Sequence, residues 1–240
     1  MDPVIVTEVP RIPLDQIDTL AGFGVATAHE ALGRTGLIGP GVTARQDGAR
    51  IAGSAVTTLC WPGDNLMIHA AVEQCGAGDV LVVAVNSPCT DGMFGELFAT
   101  ALQTREVRGL VIDAGVRDLA ELRGMGFPVW SRAVNAQGTV KATAGAVNVP
   151  VLIGGAAIRP GDVIIADDDG VLCVPAAAVP TTIDKSRVRE DKEAGTREAF
   201  RSGELGLDRY GLRPVLADLG VRYLTAAEYA AERDRTGRQD

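Results

Sequence analysis

The chain has 240 residues, 46% hydrophobic and 22% charged, with a formal charge of −8, which suits one large domain or one domain with an appendage. That acidity argues against a nucleic-acid binder, which would carry a basic patch or stripe, and it leaves an anionic substrate in need of locally placed cations or backbone amides. No apolar run is long enough to span a membrane.

The N-terminal MDPVIVTEVPRIP has no basic region ahead of a long apolar run, so no signal peptide is expected. Cys60, Cys75, Cys89 and Cys173 show neither a C-x-x-C pair nor metal-like spacing, and a reduced cytoplasmic protein is the expectation. Residues 14 to 35 carry apolar positions at helical spacing, with glycines between two short helices. The next segment alternates small, polar and β-branched residues, predicting strands joined by a turn at Asp47–Gly48. Asn65 to Gln74 reads as a helix closed by Gly76 and Gly78. DVLVVAV is then an apolar run of the kind found in strands buried on both faces.

After the loop NSPCTDGM, Glu96 to Gln103 predicts a helix, RGLVIDA a buried strand, LAELRGMG a helix ending in glycine, and FPVWSRA a short strand. This alternation indicates an α/β core with parallel strands. Residues 137 to 175, rich in Gly, Val, Ile and Pro, predict short strands in a barrel-like or sandwich layer, with a hairpin joined at Asp169–Gly170. A charged amphipathic helix covers roughly Thr182 to Ser202, followed by a Pro214–Leu224 segment and a frayed end, ERDRTGRQD. The expected organisation is an α/β catalytic domain over 1–180 and a C-terminal helical extension over 181–240.

The chain contains no H-E-x-x-H, G-x-x-x-x-G-K-[ST], G-x-S-x-G or G-x-G-x-x-G motif. His29 and His69 lie far apart in sequence, and each reads first as a structural helix residue. Glu96, Asp113, Asp118 and Glu121 all fall near strand ends or helix starts. Ligands of open α/β sheets bind beyond the carboxyl ends of the strands, where the strand–DAGVRD–helix step places Arg117 and Asp118. Carboxylates without a His/Cys cluster favour a hard ion such as Mg²⁺ or Mn²⁺ over zinc. Gly95 precedes a helix start whose free amides form an anion site, while Arg117 can grip a neighbouring oxygen. Capping plus a surface ion pair explains the same residues equally well. The run Asp167–Asp168–Asp169 reads as a solvated turn, Cys89 as a plain loop cysteine, and Lys192–Glu193 as a solvated helix face. In LVIDAGVRD, the small Ala114–Gly115 step is expected to let the backbone turn and Asp113 to orient that turn.

GELFATALQTREVRGLVIDAGVRDLAE resembles the signature of the divalent-metal (class II) pyruvate aldolases related to the regulator of ribonuclease activity A. In it an acid or other residue, twenty intervening positions, Arg-Asp, two more positions and an acid mark the site, a spacing matched by Glu96, Arg117, Asp118 and Glu121. NSPCTDGMFGELFAT, GFPVWSRAVNAQGTVKAT, NVPV and PGDVIIADDDGV resemble the branch acting on 4-carboxy-4-hydroxy-2-oxoadipate and 4-hydroxy-4-methyl-2-oxoglutarate. The likeness runs from about Ile17 to Arg201.

The resemblance implies a layered fold of the swivelling β/β/α type with a central parallel or mixed sheet. It implies Asp118 as the ligand of Mg²⁺ or Mn²⁺, and Arg117 on the substrate's keto oxygen. Backbone amides of Gly95, Glu96, Leu97 and Phe98 would hold the pyruvyl carboxylate, and Glu96 would bond to water on the metal. Glu193 would reach a neighbouring subunit's site, and Asn65, His69 and Lys141 would line the pocket. The implied assembly is a homotrimer or homohexamer with sites between subunits. The implied reaction is retro-aldol cleavage of a 4-hydroxy-2-oxo acid to pyruvate, with oxaloacetate decarboxylation as a side activity, in the breakdown of aromatic compounds. A Schiff-base aldolase is the enzymatic rival, drawing on Lys141, Lys185 or Lys192. A non-catalytic ribonuclease-binding regulator is the rival of a different class, and the long C-terminal region with Glu193 favours the enzyme over it.

Overall fold

The computed structural model describes residues 3–236. The chain divides into two compact units, Met1–Glu190 and Asp191–Asp240.

In the first unit β1 (Val4–Ile5), α1 (Leu14–Gly22), α2 (Gly24–Ala31), β2 (Leu37–Ile38) and β3 (Thr43–Ala44) lead into the long β4 (Ile51–Cys60). Next come α3 (Leu66–Gln74), β5 (Asp79–Val85), β6 (Gly92–Phe94), α4 (Glu96–Gln103), β7 (Gly109–Val116), α5 (Leu119–Gly124) and β8 (Val129–Val134). The short strands are β9 (Ala146–Val147), β10 (Val151–Ile153), β11 (Ala156–Ile158), β12 (Val163–Asp167) and β13 (Gly170–Val174), and α6 (Val179–Arg201) crosses the unit boundary.

Among the described residues eleven strands form one sheet, with a main path β2-β13-β12-β4-β5-β7-β8-β3. The centre is parallel: β4 with β5, β5 with β7, and β7 with β8. The flanks are antiparallel, so the sheet is mixed, one of the two forms expected for it. Alternate residues of β5 and β7 explain their continuous apolar runs. Leu81, Val83, Leu110 and Ile112 face a core with Ile68 of α3, Ala99 and Leu102 of α4 and Leu122 of α5. Val80, Val82 and Val111 face the opposite core, closed by Trp130, Ile153 and Ile158. Burying each such side chain is worth about 1.5–3 kcal/mol, and both faces of the sheet are covered.

The structure departs from the sequence expectations at four turns and ends. The Asp47–Gly48 turn forms, but the strands around it do not pair: β3 joins β8, while β4 joins β5, β9 and β12. The β12–β13 turn is Asp168–Asp169, one position early, and Gly170 opens β13. Gly115 does not turn the chain, since β7 runs on to Val116. Its missing side chain instead admits the Thr90 carbonyl, which a Cβ would meet at 2.1 Å. Asp113 pairs with Arg132 on β8, tying two strands together rather than orienting the turn.

The second unit holds the end of α6, α7 (Gly206–Arg209), α8 (Arg213–Asp218) and α9 (Ala226–Thr236). The charged end is helical through Thr236 rather than frayed, and residues 237–240 lie outside the described residues. Thr225 and Glu228 start α9 as a reciprocal capping box: the Glu228 amide donates to Thr225 Oγ1 at 3.2 Å, and the Thr225 amide donates to Glu228 Oε2 at 2.7 Å. Leu205, Leu219, Tyr223 and Tyr229 are exposed.

Candidate active site

Three parallel strands end at the same edge of the sheet, and the turns that follow them build one pocket. After β4 come Asp64 and Asn65; after β5 a loop and β6 lead to Gly95 at the start of α4; after β7 come Arg117 and Asp118. The cavity has a volume of about 330 Å³. Asn65, His69, Gly95, Leu97, Phe98, Arg117, Asp118 and Lys141 all line it. Eight of the expected site residues therefore share one cavity, together with Val72, Met93, Phe94 and Ala101, which the sequence reading did not single out.

Asp118 precedes α5 in the left-handed backbone region, at φ 56° and ψ 41°. That conformation is uncommon outside glycine and best tolerated by Asn and Asp. Asp118 Oδ2 accepts the backbone amide of Glu96 at 3.1 Å, and Arg117 Nε stands 3.8 Å from the same oxygen. Both side chains are partly exposed, so the surface ion pair is real but loose. Oδ1 has no hydrogen bond among the described residues. Gly95 permits this approach, because a Cβ there would lie 2.3 Å from Asp118 Oδ2. The first hydrogen bond inside α4 runs from Ala99 to Gly95, so the amides of Leu97 and Phe98 remain outside the helix ladder.

The opposite wall comes from α3 and the 140–143 segment. Asn65 Nδ2 donates to the Met93 carbonyl at 3.1 Å, while Asn65 Oδ1 is buried without a hydrogen-bond partner among the described residues. His69 packs on Phe98 with ring centroids 4.4 Å apart, and Phe98 stacks on Phe94 at 5.5 Å. Desolvation, and then the nearby charge of Lys141, hold the His69 pKa below the ordinary imidazole value. Trp61 Nε1 donates to the Ala144 carbonyl at 3.1 Å, just beyond this segment.

Three acids stand elsewhere. Glu96 does not line the cavity: its carboxylate accepts the Thr100 hydroxyl at 2.7 Å. Glu121 is exposed on α5 outside the cavity lining. Glu193 belongs to the second unit, within 3.7 Å of Arg197 one helical turn on. Among the described residues no three His, Cys, Asp or Glu side chains gather as a metal cluster. Cys89 is buried against the Met93 sulfur, and Asp167 and Asp168 accept the amides of Val25, Asp169 and Gly48, a structural turn.

A mixed α/β sheet with an arginine, a carboxylate and a helix start at its parallel strand ends defines the broad class. The family model RraA-like, described as Aldolase/RraA, matches residues 25–173, and the chain belongs to that family. A Burkholderia multivorans protein is 36% identical over 157 residues, covering 64% of this chain and 95% of its own. One from Halalkalibacterium halodurans is 28% identical over 161 residues, covering 67% and 77%. Both are provisionally named 4-hydroxy-4-methyl-2-oxoglutarate aldolase. The solved structure of Streptomyces coelicolor RraAS2, described as an unusual member of the RNase ES inhibitor RraA protein family, superposes with a TM-score of 0.70 at 27% identity, covering 79% of this chain and 99% of that one. No helix among the described residues is long and apolar enough to cross a membrane.

Proposed function

We propose that the chain is a divalent-metal-dependent aldolase. Its substrates would be 4-hydroxy-2-oxo acids: 4-carboxy-4-hydroxy-2-oxoadipate, giving pyruvate and oxaloacetate, and 4-hydroxy-4-methyl-2-oxoglutarate, giving pyruvate. The observation that carries this reading is the convergence of Arg117, Asp118, Lys141 and the α4 start on one cavity. The names of the two bacterial relatives support it.

The donor set fits a hard ion. A single carboxylate with one free oxygen suits Mg²⁺ or Mn²⁺, whose remaining positions are filled by water and substrate oxygens, whereas a zinc site draws three or four protein ligands. Asp118 would hold the ion, and the bound ion would act as a Lewis acid on the 2-keto group.

The chain's own residues would do the rest. The Leu97 and Phe98 amides would take the C1 carboxylate at the positive end of α4. Lys141 would take the distal carboxylate. Asn65 Oδ1 offers an acceptor for the C4 hydroxyl. A base supported by Glu193 from a neighbouring subunit, and by Glu96 once its carboxylate turns from Thr100 toward the cavity, would remove the hydroxyl proton. As the C3–C4 bond breaks, negative charge grows on the keto oxygen, and Arg117 would stabilise it in place. Protonation at C3 would then release pyruvate. Oxaloacetate loses CO₂ through the same enolate, so decarboxylation would accompany the main reaction. The exposed Leu219, Tyr223 and Tyr229 of the second unit support packing on another subunit in a trimer or hexamer.

Pyruvate release from both substrates, with and without EDTA, tests the reading. Activity lost on chelation and restored by Mg²⁺ or Mn²⁺ supports it. Chelator-resistant turnover, or a borohydride-trapped pyruvate adduct on Lys141, would overturn it in favour of Schiff-base chemistry. The RraAS2 likeness favours one other reading, a ribonuclease-binding regulator, which capture of a purified RNase E-type enzyme with no turnover of either acid would establish.

A further inference from the structure

Asp64 is a buried carboxylate, 3% exposed, and no cation pairs with it among the described residues. It is satisfied by main-chain amides together with the Thr143 hydroxyl. Oδ1 accepts the Leu66 amide at 2.9 Å, at the start of α3. Oδ2 accepts the amides of Ala142 at 2.9 Å and Thr143 at 2.6 Å, far along the chain. Burial by itself raises the Asp64 pKa, but these amides and the Thr143 hydroxyl outweigh it and hold the carboxyl below its ordinary value.

The same turn grips the preceding residue. Val140 donates to the Gly63 carbonyl at 2.9 Å, and the Asn65 amide donates to the Val140 carbonyl at 3.0 Å. Lys141 is thereby held on both sides, by a backbone bridge at Val140 and by one carboxylate at Ala142 and Thr143. Apart from that bridge, residues 135–145 contain no helix or strand, so no sheet ladder fixes Lys141.

We propose that Asp64 is a positioning residue: through the amides of Ala142 and Thr143 it fixes the Lys141 ammonium in the pocket wall. Asp64 itself is absent from the cavity lining, so it acts through neighbours, and its two amide bonds at Ala142 and Thr143 flank Lys141. The part that concerns substrate affinity rests on the aldolase reading; the geometric part does not.

The test uses the full chain and two readouts. The chain has two histidines, so His69 can be titrated by NMR, with His29→Gln assigning the other signal. Removing the Lys141 charge in Lys141→Met raises the His69 pKa. Asp64→Asn, which turns an amide donor toward two backbone donors, raises it in the same direction, and the double variant titrates like Lys141→Met alone. In turnover, both single variants raise KM about tenfold, leave kcat within about twofold, and do not compound in the double variant. Should Asp64→Asn fail to fold, Asp64→Glu keeps the charge and gives a smaller shift of the same sign. An unmoved His69 in Asp64→Asn, fully additive effects, or an unmoved His69 in Lys141→Met overturns the proposal. The titration needs no catalysis, so a chain inactive on both acids would sink the aldolase reading without touching this one.

Discussion

Asp118 Oδ2 and the Glu96 backbone amide meet at 3.1 Å, so the end of β7 is locked to the start of α4 through one carboxylate oxygen. The amide of Glu96 is thereby committed within the protein, and the expected set of four amides narrows to Gly95, Leu97 and Phe98. The other carboxylate oxygen has no hydrogen bond among the described residues, and Asp118 lines the cavity. Sequence spacing alone could not divide the amides in this way.

Gly95→Ala tests that lock. The new Cβ would sit 2.3 Å from Asp118 Oδ2, and relief requires the carboxylate to move by a fraction of an ångström or more. Misplacement on this scale costs about 10²-fold in rate. The expected result is a fall of that order in kcat/KM with little change in Tm, measured by pyruvate release and thermal melting.

Asp118→Asn separates charge from backbone. Asn tolerates the left-handed conformation as well as Asp does, so the fold should melt within about 0.5 kcal/mol of the parent. Retro-aldol and decarboxylase rates should both collapse, because the proposed ion loses its only charged ligand. Wild-type rates with added Mg²⁺ would remove Asp118 from the metal.

Acid stability carries a signature of His69. Its folded pKa lies below the unfolded value of about 6.5, so the unfolded chain takes up the proton first. The contribution is therefore fully present above about pH 6.5 and is lost as pH falls through the folded value. His69→Gln should flatten the decline of Tm between about pH 7 and 5. Asp64 behaves alike at lower pH, its contribution standing above about pH 3.9 and fading as pH falls through its depressed folded value.

Ile112→Ala provides the contrast. Ile112 is fully buried in β7 between β5 and β8, and its truncation should cost about 2–5 kcal/mol. Chemical denaturation should show that loss while kcat at low temperature stays near the parent value, because the side chain faces the core shared with α3 and α4.

The parallel centre of the fold was legible because DVLVVAV and LVIDA carry an unmistakable two-faced burial pattern. Arg117, Asp118 and Gly95 were legible because they follow such strands or open a helix. What escaped depended on long-range pairing. The turn at Asp47–Gly48 looks like a hairpin locally, yet β3 finds its partner on β8. Gly115 looks like a hinge, but its role is set by the Thr90 carbonyl. The tie from Asp64 to the Lys141 segment gave no signal, since those partners lie 78 and 79 residues away and are backbone amides that any residue supplies.

The hydrogen bond from Trp61 to Ala144 supplies an optical handle. The chain has only two tryptophans. Trp130 is sealed in the core, while Trp61 is 48% exposed and anchored on the segment that carries Lys141. Any displacement of that segment, by a ligand or by loss of the Asp64 tie, should alter the solvent seen by one indole and leave the other as an internal reference. Native emission can thus follow this wall of the pocket in real time, without a label.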